Sequence, residues 1–284
     1  MIENATPKLS IDDIVVVIVL YKTTLAESTT FKSLLVSVGS YPQPVALIVC
    51  DNSPEPCEVK SYQEFHITYL HDQNNPGISA AYNKAAKIAE KLKKNWLIFL
   101  DQDTSLPQNS IVKYLEAIQQ NVDIRLFVPV LVNQENHIIS PTIFKYRRGR
   151  SPSSVRKGLN NLKQLSPVNS GICIKLSQFN RISGYNELIP LDYSDYDFMQ
   201  RMSAVESAFY IIDLQCQHSL SASETQSFES AKQRFNYLCL GLRLSSDSKQ
   251  DLFYSALVAF RRAIKLTWVY KSNSFFKIML NEFK

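Results

Sequence analysis

The sequence has few cysteines, and they are not arranged to cross-link the chain or to hold zinc. Five of its 284 residues are cysteine, they are scattered, and none belongs to a Cys-x-x-Cys pair. Neither a disulfide framework nor a zinc site is therefore indicated. We expect five reduced thiols with structural roles, as in a cytosolic protein.

Long apolar runs and a secretory signal are also absent. The longest early apolar run, Ile14–Leu20, has seven residues, whereas a helix that spans a bilayer needs roughly 20. Residues 1–13 carry acids and lack the basic-then-apolar pattern of a signal peptide. We therefore expect a cytoplasmic protein without a signal peptide or a transmembrane helix.

The part of the chain before Phe228 lacks a net positive charge. From Phe228 onward there are ten Lys or Arg and four Asp or Glu, whereas the preceding part has 21 basic and 22 acidic residues. The whole excess of +5 thus lies in the C-terminal part. This distribution favours a local anionic partner, such as a membrane surface, over a nucleic acid.

Apolar runs alternate with helical spacings in the first half of the chain. Strands are predicted at Ile14–Leu20, Val45–Cys50, Ile67–Leu70 and Trp96–Leu100, with helices near 28–38, 79–94 and 107–120 between or after them. This alternation predicts an α/β fold with a mostly parallel central sheet and helices on both faces.

The second half of the chain has a less regular pattern. Strands are predicted at 126–132, 167–176 and 209–214, and helices from 179 and over 193–204. The polar, basic stretch 145–166 predicts a mobile loop. Beyond Ser219 the pattern is helical to the end.

Polar clusters follow three of the predicted strands. They are Asp51–Asn52, the turn Asn74–Gly77 and Asp101–Gln102–Asp103. Since parallel strands deliver their carboxyl ends to one edge of a sheet, these clusters predict a ligand site there. Two carboxylates separated by one residue suit Mg²⁺ or Mn²⁺ beside a diphosphate. The alternative is an acidic cap for the following helix.

The order of these motifs resembles family 2 of the glycosyltransferases, over roughly Val15 to His218. The residues that carry the resemblance are Tyr21 after the first strand, Asp51–Asn52–Ser53, Asn74-x-x-Gly77-x-x-x-Ala81-x-Asn83, Leu100–Asp101–Gln102–Asp103, Asn169–Ser170–Gly171, Gly184–Tyr185–Asn186–Glu187 and Asp192-x-x-Asp195-x-Asp197-x-x-x-Arg201. The Asp-Gln-Asp and Asp-Tyr-Ser-Asp segments are most similar to bacterial rhamnosyltransferases that build surface polysaccharide such as O-antigen.

The resemblance implies a GT-A nucleotide-diphospho-sugar transferase fold and a division of the chain. The catalytic domain would cover 1–220, with a donor-binding half at about 14–125 and an acceptor half at about 126–220. Residues 221–284 would form a helical, basic and aromatic extension. The implied reaction is an inverting transfer of a hexosyl group that depends on Mg²⁺ or Mn²⁺.

The resemblance also implies roles for single residues. The donor would be bound by Tyr21, Asp51, Asn74, Gly77, Asn83, Asp101 and Arg201. The metal would be held by Asp101, Asp103 and His218. Asp195 would be the general base that inversion requires, because one carboxylate must deprotonate the attacking hydroxyl.

Several of these roles have alternatives within the sequence. Many relatives have Glu-Asp where this chain has Ser194–Asp195, so Asp192 is a second candidate for the base. The acids of this segment could also be first-turn helix acids. Arg201 could bind diphosphate or pair with Asp197, four residues earlier on the same helix. His218 could instead be a structural histidine.

Two basic regions extend the hypothesis to the diphosphate, the acceptor and the membrane. Arg147 and Arg148 could close over a diphosphate or bind an acceptor phosphate. The alternative is that both arginines belong to a solvated loop. Asp192 could also contact the acceptor or the diphosphate. In the C-terminal part, aromatic residues alternate with Arg and Lys, which suits a membrane interface or packing against the catalytic domain.

The sequence therefore predicts transfer of a sugar, with L-rhamnose from dTDP-rhamnose as the first choice, to a glycan acceptor that is lipid-linked at the cytoplasmic face. UDP-galactofuranose, UDP-glucose or UDP-galactose are alternative donors. A nucleotidyltransferase is a more distant alternative, and residues 21–24 lack the glycine that its phosphate-binding segment would need. A non-catalytic sugar- or nucleotide-binding protein is a further alternative function.

Overall fold

The structure is a computed structural model that describes residues 9–39, 42–219 and 227–284. Its strands are β1 (Ile14–Leu20), β2 (Val45–Asp51), β3 (Phe65–His71), β4 (Trp96–Asp101), β5 (Thr104–Ser105), β6 (Leu126–Val132), β7 (Ile138–Ser140), β8 (Thr142–Lys145), β9 (Arg148–Arg150), β10 (Gly158–Asn161), β11 (Leu165–Ser166), β12 (Cys173–Lys175) and β13 (Ala208–His218). Its α-helices are α1 (Thr29–Val38), α2 (Ile78–Lys91), α3 (Ser110–Gln120), α4 (Leu176–Arg181), α5 (Ser194–Val205), α6 (Phe228–Leu244), α7 (Lys249–Tyr270) and α8 (Ser274–Glu282).

The main sheet has the order β10-β13-β6-β12-β4-β1-β2-β3, with β5 paired to β13 and β7 to β6. β3, β2, β1 and β4 are parallel, and β12 runs antiparallel between β4 and β6. Since β6 and β13 again run with β4, six of the eight strands in this order share one direction. The prediction of a mostly parallel α/β sheet is confirmed.

β1 shows why both faces of the sheet carry helices. Its side chains point alternately to the two faces, because successive residues of a strand do so. Ile14, Val16 and Ile18 pack into one buried cluster that includes residues of α1 and α3. Val15 and Val17 belong to the other cluster, with residues of α2, α4 and α5. A continuous apolar strand is therefore the expected pattern for the centre of this sheet.

The prediction of a mobile loop over residues 145–166 is wrong, because this region forms strands. β8 and β9 form a hairpin whose two-residue turn is Tyr146–Arg147, and both turn residues have positive φ, 52° and 61°. Such turns usually contain glycine or asparagine, so the sequence carries no turn signal here. The same region contains β10 and β11, which pair with β13 and β8.

The strand predicted over 167–176 is also shorter than expected. Only Cys173–Lys175 forms a strand, and α4 begins at Leu176 rather than at 179. The preceding residues form a turn whose Gly171 has a φ of 83°. A Cβ at Gly171 would collide with the Pro129 ring, which accounts for glycine at this position.

The C-terminal helices pack on one another around a small core of their own. Phe235 of α6, Ala259 and Ala263 of α7 and Phe275 of α8 are buried together, and Tyr193 of the preceding part joins them. The predicted boundary at 220 lies outside the described residues. None of the helices in the described ranges is long and apolar enough to cross a membrane.

Candidate active site

The carboxyl ends of β1, β2 and β4 meet at one edge of the sheet. In the parallel register Leu20 lies beside Asp51, and Val19 lies beside Asp101. The predicted acidic clusters at the ends of β2 and β4 therefore flank the end of β1, as the rule for ligand sites in open parallel sheets requires.

The turn Asp101–Gln102–Asp103 is held by hydrogen bonds from the start of α1 and the end of β1. Thr30 Oγ1 donates to the Asp101 carbonyl, and Ser28 Oγ donates to the Gln102 carbonyl at 2.9 Å. The Gln102 side chain accepts from the Tyr21 N–H at 2.7 Å. Gln102 thus ties the turn to the end of β1, which leaves the two neighbouring carboxylates to line the sheet edge.

His218 is brought to these carboxylates by the pairing of two distant strands. The last residue of β13, His218, lies opposite Thr104 of β5, directly after the turn. Its Nδ1 is 2.7 Å from Thr104 Oγ1 and 3.5 Å from Asp103 Oδ1. Thr104 Oγ1 also lies 2.6 Å from Ser170 Oγ, so the hydroxyl that orients the imidazole is itself held in place.

Asp101, Asp103 and His218 fit a divalent cation. One ligand atom from each lies within 4.8 Å of the others. Two hard carboxylate oxygens suit Mg²⁺ and Mn²⁺, and the imidazole shifts the preference toward Mn²⁺. An imidazole fixed by a hydrogen bond to a neighbouring group is typical of metal-binding histidines.

Asp195 lies at the start of α5 and carries a perturbed carboxyl group. Its pKa is raised to about 7, chiefly by desolvation and in smaller part by the charges of Asp192 and Asp101, while the hydrogen bond that it accepts from the Tyr196 N–H at 2.8 Å lowers the pKa. The charge of Asp101 is among the causes of the shift, so the two carboxyl groups lie within electrostatic range of each other. A carboxylate poised near neutral pH is suited to accept a proton from a hydroxyl.

A chain of side chains connects Asp101 with the first residue of α5. Tyr82 donates to Asp101 Oδ1 at 3.0 Å, and its ring lies 5.2 Å from that of Tyr185. Tyr185 donates to Asn169 Oδ1 at 2.8 Å, and the Asn169 amide reaches Ser194 Oγ at 3.4 Å. Sequence reasoning missed Tyr82, since an apolar position in a helix gives no sign of a buried hydroxyl.

Comparison with known proteins identifies the family of this chain. The profile of glycosyl transferase family 2 matches residues 15–178, more than half of the chain. The chain belongs to glycosyl transferase family 2. An uncharacterized glycosyltransferase of Haemophilus influenzae is 28% identical over 160 residues, which are 55% of this chain and 51% of that protein. The chain therefore matches about half the length of this curated relative.

Solved structures of TarS from S. aureus share the fold of this family 2 chain. One aligns with a TM-score of 0.54 and 13% identity over 87% of this chain and 42% of TarS. A TarS fragment, residues 1–349, in complex with UDP-GlcNAc aligns with a TM-score of 0.53 and 13% identity, over 89% of this chain and 73% of the fragment. At this identity the likeness shows the fold alone, which is the GT-A fold.

Asp51, predicted to bind the donor in this family 2 chain, is fully buried and has partners within the chain. It accepts from Tyr69 at 2.7 Å and from the N–H groups of Ser53 and Cys57 at 2.9 and 3.1 Å. Desolvation raises the pKa of Asp51, but these hydrogen bonds outweigh it and hold the pKa below its usual value. Its contact with a nucleotide stays a prediction.

Gly77, which precedes α2, and Asn83 of α2 connect this helix to the segment 185–190. Gly77 has a φ of 91°, and a Cβ there would collide with the Pro190 carbonyl. The Asn83 side chain accepts from the Tyr185 N–H at 2.8 Å and donates to the Tyr185 carbonyl at 2.9 Å. Both residues therefore contact the segment that precedes Asp195, and their part in binding the donor stays a prediction. Asn74, like Tyr21, is exposed.

Arg201 has the arrangement that the helical alternative predicted. Its Nε donates to Asp197 at 2.9 Å, and its Nη1 donates to the carbonyls of Ile182 and Gly184 at 2.8 and 2.7 Å. Binding of a diphosphate by Arg201 stays a prediction, and these contacts give the guanidinium a structural role.

Arg147 corrects the prediction of an arginine that closes over a diphosphate. Its side chain is only 3% exposed. The guanidinium donates to Gln200 of α5 at 2.6 Å, to Ser255 of α7 at 3.2 Å and to Ser245 after α6. Arg147 therefore joins the family 2 domain to the C-terminal helices. Arg148 is exposed, and its role stays a prediction.

Proposed function

We propose that this protein is an inverting glycosyltransferase that moves a sugar from a nucleotide-diphosphate donor to a glycan acceptor. The observation that supports the proposal is a cluster of Asp101, Asp103 and His218 together with Asp195, a carboxyl whose pKa of about 7 is raised in part by the charge of Asp101. Asp195 is suited to remove a proton from an acceptor hydroxyl, and the cluster is suited to bind a cation beside a diphosphate.

In this proposal each residue has a separate task. Asp101, Asp103 and His218 hold Mn²⁺ or Mg²⁺, which when bound offsets the charge that grows on the departing diphosphate. Asp195 accepts the proton of the attacking hydroxyl. Thr104 and Ser170 orient His218, and Gln102 holds the turn between the two aspartates.

We propose dTDP-rhamnose as the donor, following the resemblance of the Asp-Gln-Asp and Asp-Tyr-Ser-Asp segments to rhamnosyltransferases. UDP-galactofuranose, UDP-glucose and UDP-galactose remain alternative donors. The complex of TarS with UDP-GlcNAc supports a nucleotide sugar in this fold and adds UDP-GlcNAc to the candidates. The proposed acceptor is a lipid-linked surface glycan at the cytoplasmic face of the membrane.

A donor panel tests this function. The full chain is incubated with Mn²⁺, a lipid-diphosphate glycan and each nucleotide sugar in turn, and the release of nucleoside diphosphate is measured. We expect one donor to be consumed, with a product whose anomeric configuration, read by NMR, is inverted. Pyrophosphate release from a nucleoside triphosphate and a sugar phosphate would favour the nucleotidyltransferase instead, and binding of a nucleotide sugar without turnover would favour the binding protein.

We also propose that the outer face of α7 contacts the membrane. Five apolar side chains repeat at helical spacing along this face and are at least 42% exposed: Phe253, Leu257, Phe260, Ile264 and Trp268. They are separate from the buried residues Ala259, Ala263 and Leu266 that pack inward. Arg261, Arg262 and Lys265 on the same helix are exposed, which suits anionic lipid headgroups.

Vesicle flotation tests this contact. We expect the protein to float with phosphatidylglycerol-containing vesicles and less with pure phosphatidylcholine vesicles, because the basic side chains need anionic lipid. Trp268→Glu should lower the bound fraction by about tenfold or more, since the indole is 82% exposed and a carboxylate is repelled by the surface. Leu159→Glu, an exposed site on β10, is the control. Equal flotation of both variants, or a dimer that Trp268→Glu dissociates, would refute the membrane contact.

A further inference from the structure

The segment just before Asp195 is held by the C-terminal helices. Arg234 of α6 makes a two-pronged ion pair with Asp192, with Nη2–Oδ1 at 2.7 Å and Nε–Oδ2 at 3.2 Å. Both side chains are less than one third exposed. A bidentate arginine–carboxylate pair fixes orientation as well as distance.

A second contact packs α6 against Tyr193, the residue after Asp192. Gly241 lies so close to Tyr193 that a Cβ on the glycine would be 2.7 Å from the tyrosine Cβ and 2.8 Å from the Asp192 carbonyl oxygen. Tyr193 has a φ of 79°, which is unusual for an aromatic residue. Such a backbone conformation persists only where its surroundings impose it, and here those surroundings are α6 and the β8–β9 turn.

The β8–β9 turn supplies the third contact. The Tyr193 hydroxyl donates to the Arg147 carbonyl at 3.1 Å, and the Arg147 guanidinium lies 5.2 Å from the Tyr193 ring. Residues 192 and 193 are thus clamped on both sides, and α5 begins one residue later with Ser194 and Asp195. Asp195 is thus only two residues beyond the clamped pair.

We propose that Arg234 is a positioning residue for the transfer reaction: it holds Asp192 so that Asp195 faces the sheet edge. The extension then has a role inside the active site besides any contact with a membrane. The kinetic part of this inference rests on the proposed function, whereas the structural part does not.

Two arginines of the same helix provide a matched test. Arg234→Gln removes the two-pronged pair with Asp192, and Arg243→Gln removes an ion pair with Glu282 of α8 that has one hydrogen bond, at 3.0 Å. With the donor consumed in the panel, we expect Arg234→Gln to lower kcat about 10- to 100-fold with little change in the KM of the donor, because misplacing a reacting group costs rate rather than binding. Arg243→Gln should keep both constants within about threefold of wild type.

Two further measurements separate positioning from folding. Arg234→Lys keeps the charge and should recover part of the lost kcat. Hydrogen–deuterium exchange over 191–196 should rise in Arg234→Gln and not in Arg243→Gln, and this readout needs no activity. Equal losses in the two glutamine variants, or unchanged kcat and exchange in Arg234→Gln, would overturn the inference. A wild-type protein that transfers no sugar while exchange still rises would refute the proposed function alone.

Discussion

Asp195→Asn is expected to lower the rate of glycosyl transfer about 10²- to 10⁴-fold, the range that a general base contributes. Asparagine has the shape of the aspartate and cannot accept the proton of the acceptor hydroxyl. The rate is measured as release of nucleoside diphosphate under saturating donor. Asp213→Asn is the control, because Asp213 is an exposed carboxylate on β13 that pairs with Lys157.

The pH dependence of wild type follows from the same group. Burial raises the pKa of Asp195 to about 7, so the basic form becomes available only as the pH rises through this value. We therefore expect kcat/KM to increase about tenfold per pH unit below 7 and to level off above it. A rate that is independent of pH between 5 and 8, or an Asp195→Asn variant with wild-type turnover, would exclude Asp195 as the base.

Asp195→Asn should also stabilise the fold at high pH. A carboxyl whose pKa is higher in the folded state than in the unfolded state costs stability as the pH rises from the unfolded pKa, 3.8, through about 7. Removing its charge should therefore raise the free energy of unfolding at pH 8 by about 1–3 kcal/mol, discounted for partial exposure. The gain should vanish near pH 4. Thermal unfolding at the two pH values checks this sign.

Asp192, the alternative base in the sequence, has a different environment. Its carboxylate is held by Arg234 through two hydrogen bonds, which occupy both oxygens. Asp195 has no arginine among the groups that shift its pKa. The choice between the two thus depends on the arginine of a helix 42 residues away along the chain, and the sequence between them gives no sign of the pairing.

The central sheet could be predicted because burial on both faces leaves a clear sequence pattern. β1, β2 and β4 are continuous apolar runs, and each was predicted within one residue of its observed bounds. The aspartates at their ends follow from the geometry of a parallel sheet. These features need only local sequence and one rule of topology.

The hairpin at Tyr146–Arg147 could not be predicted in this way. Its strands have only four and three residues, and its turn lacks the usual glycine or asparagine. Arg147 reads as a solvated residue because arginine is seldom buried. Its burial depends on Gln200, Ser245 and Ser255, which come together only after the C-terminal helices have packed. Likewise, His218 was assigned by family resemblance, since the strand pairing that places it opposite Thr104 joins residues 114 apart in the sequence.

Asp103→Ala is the second substitution with a large expected effect. It removes one of the two carboxylates of the proposed cation site, and we expect transfer to fall about 10³-fold, a loss of several kcal/mol of transition-state stabilisation. Chelation of wild type with EDTA should produce a similar loss that Mn²⁺ restores. Titration with Mn²⁺, followed by calorimetry, should show one site in wild type that Asp103→Ala weakens. Glu135→Gln, an exposed acid on a surface turn, is the control.

His218 offers a graded test of the same site. Thr104 and Asp103 hold its imidazole, so His218→Ala removes one ligand while both carboxylates remain. We expect a smaller loss of Mn²⁺ affinity and activity than in Asp103→Ala, about 10- to 100-fold. The ranking matters because a histidine that only stabilises the β5–β13 pairing would lower the unfolding temperature and leave Mn²⁺ affinity unchanged. If neither substitution alters Mn²⁺ binding, the cluster does not hold the cation, and the charge of the leaving diphosphate must be balanced by other groups.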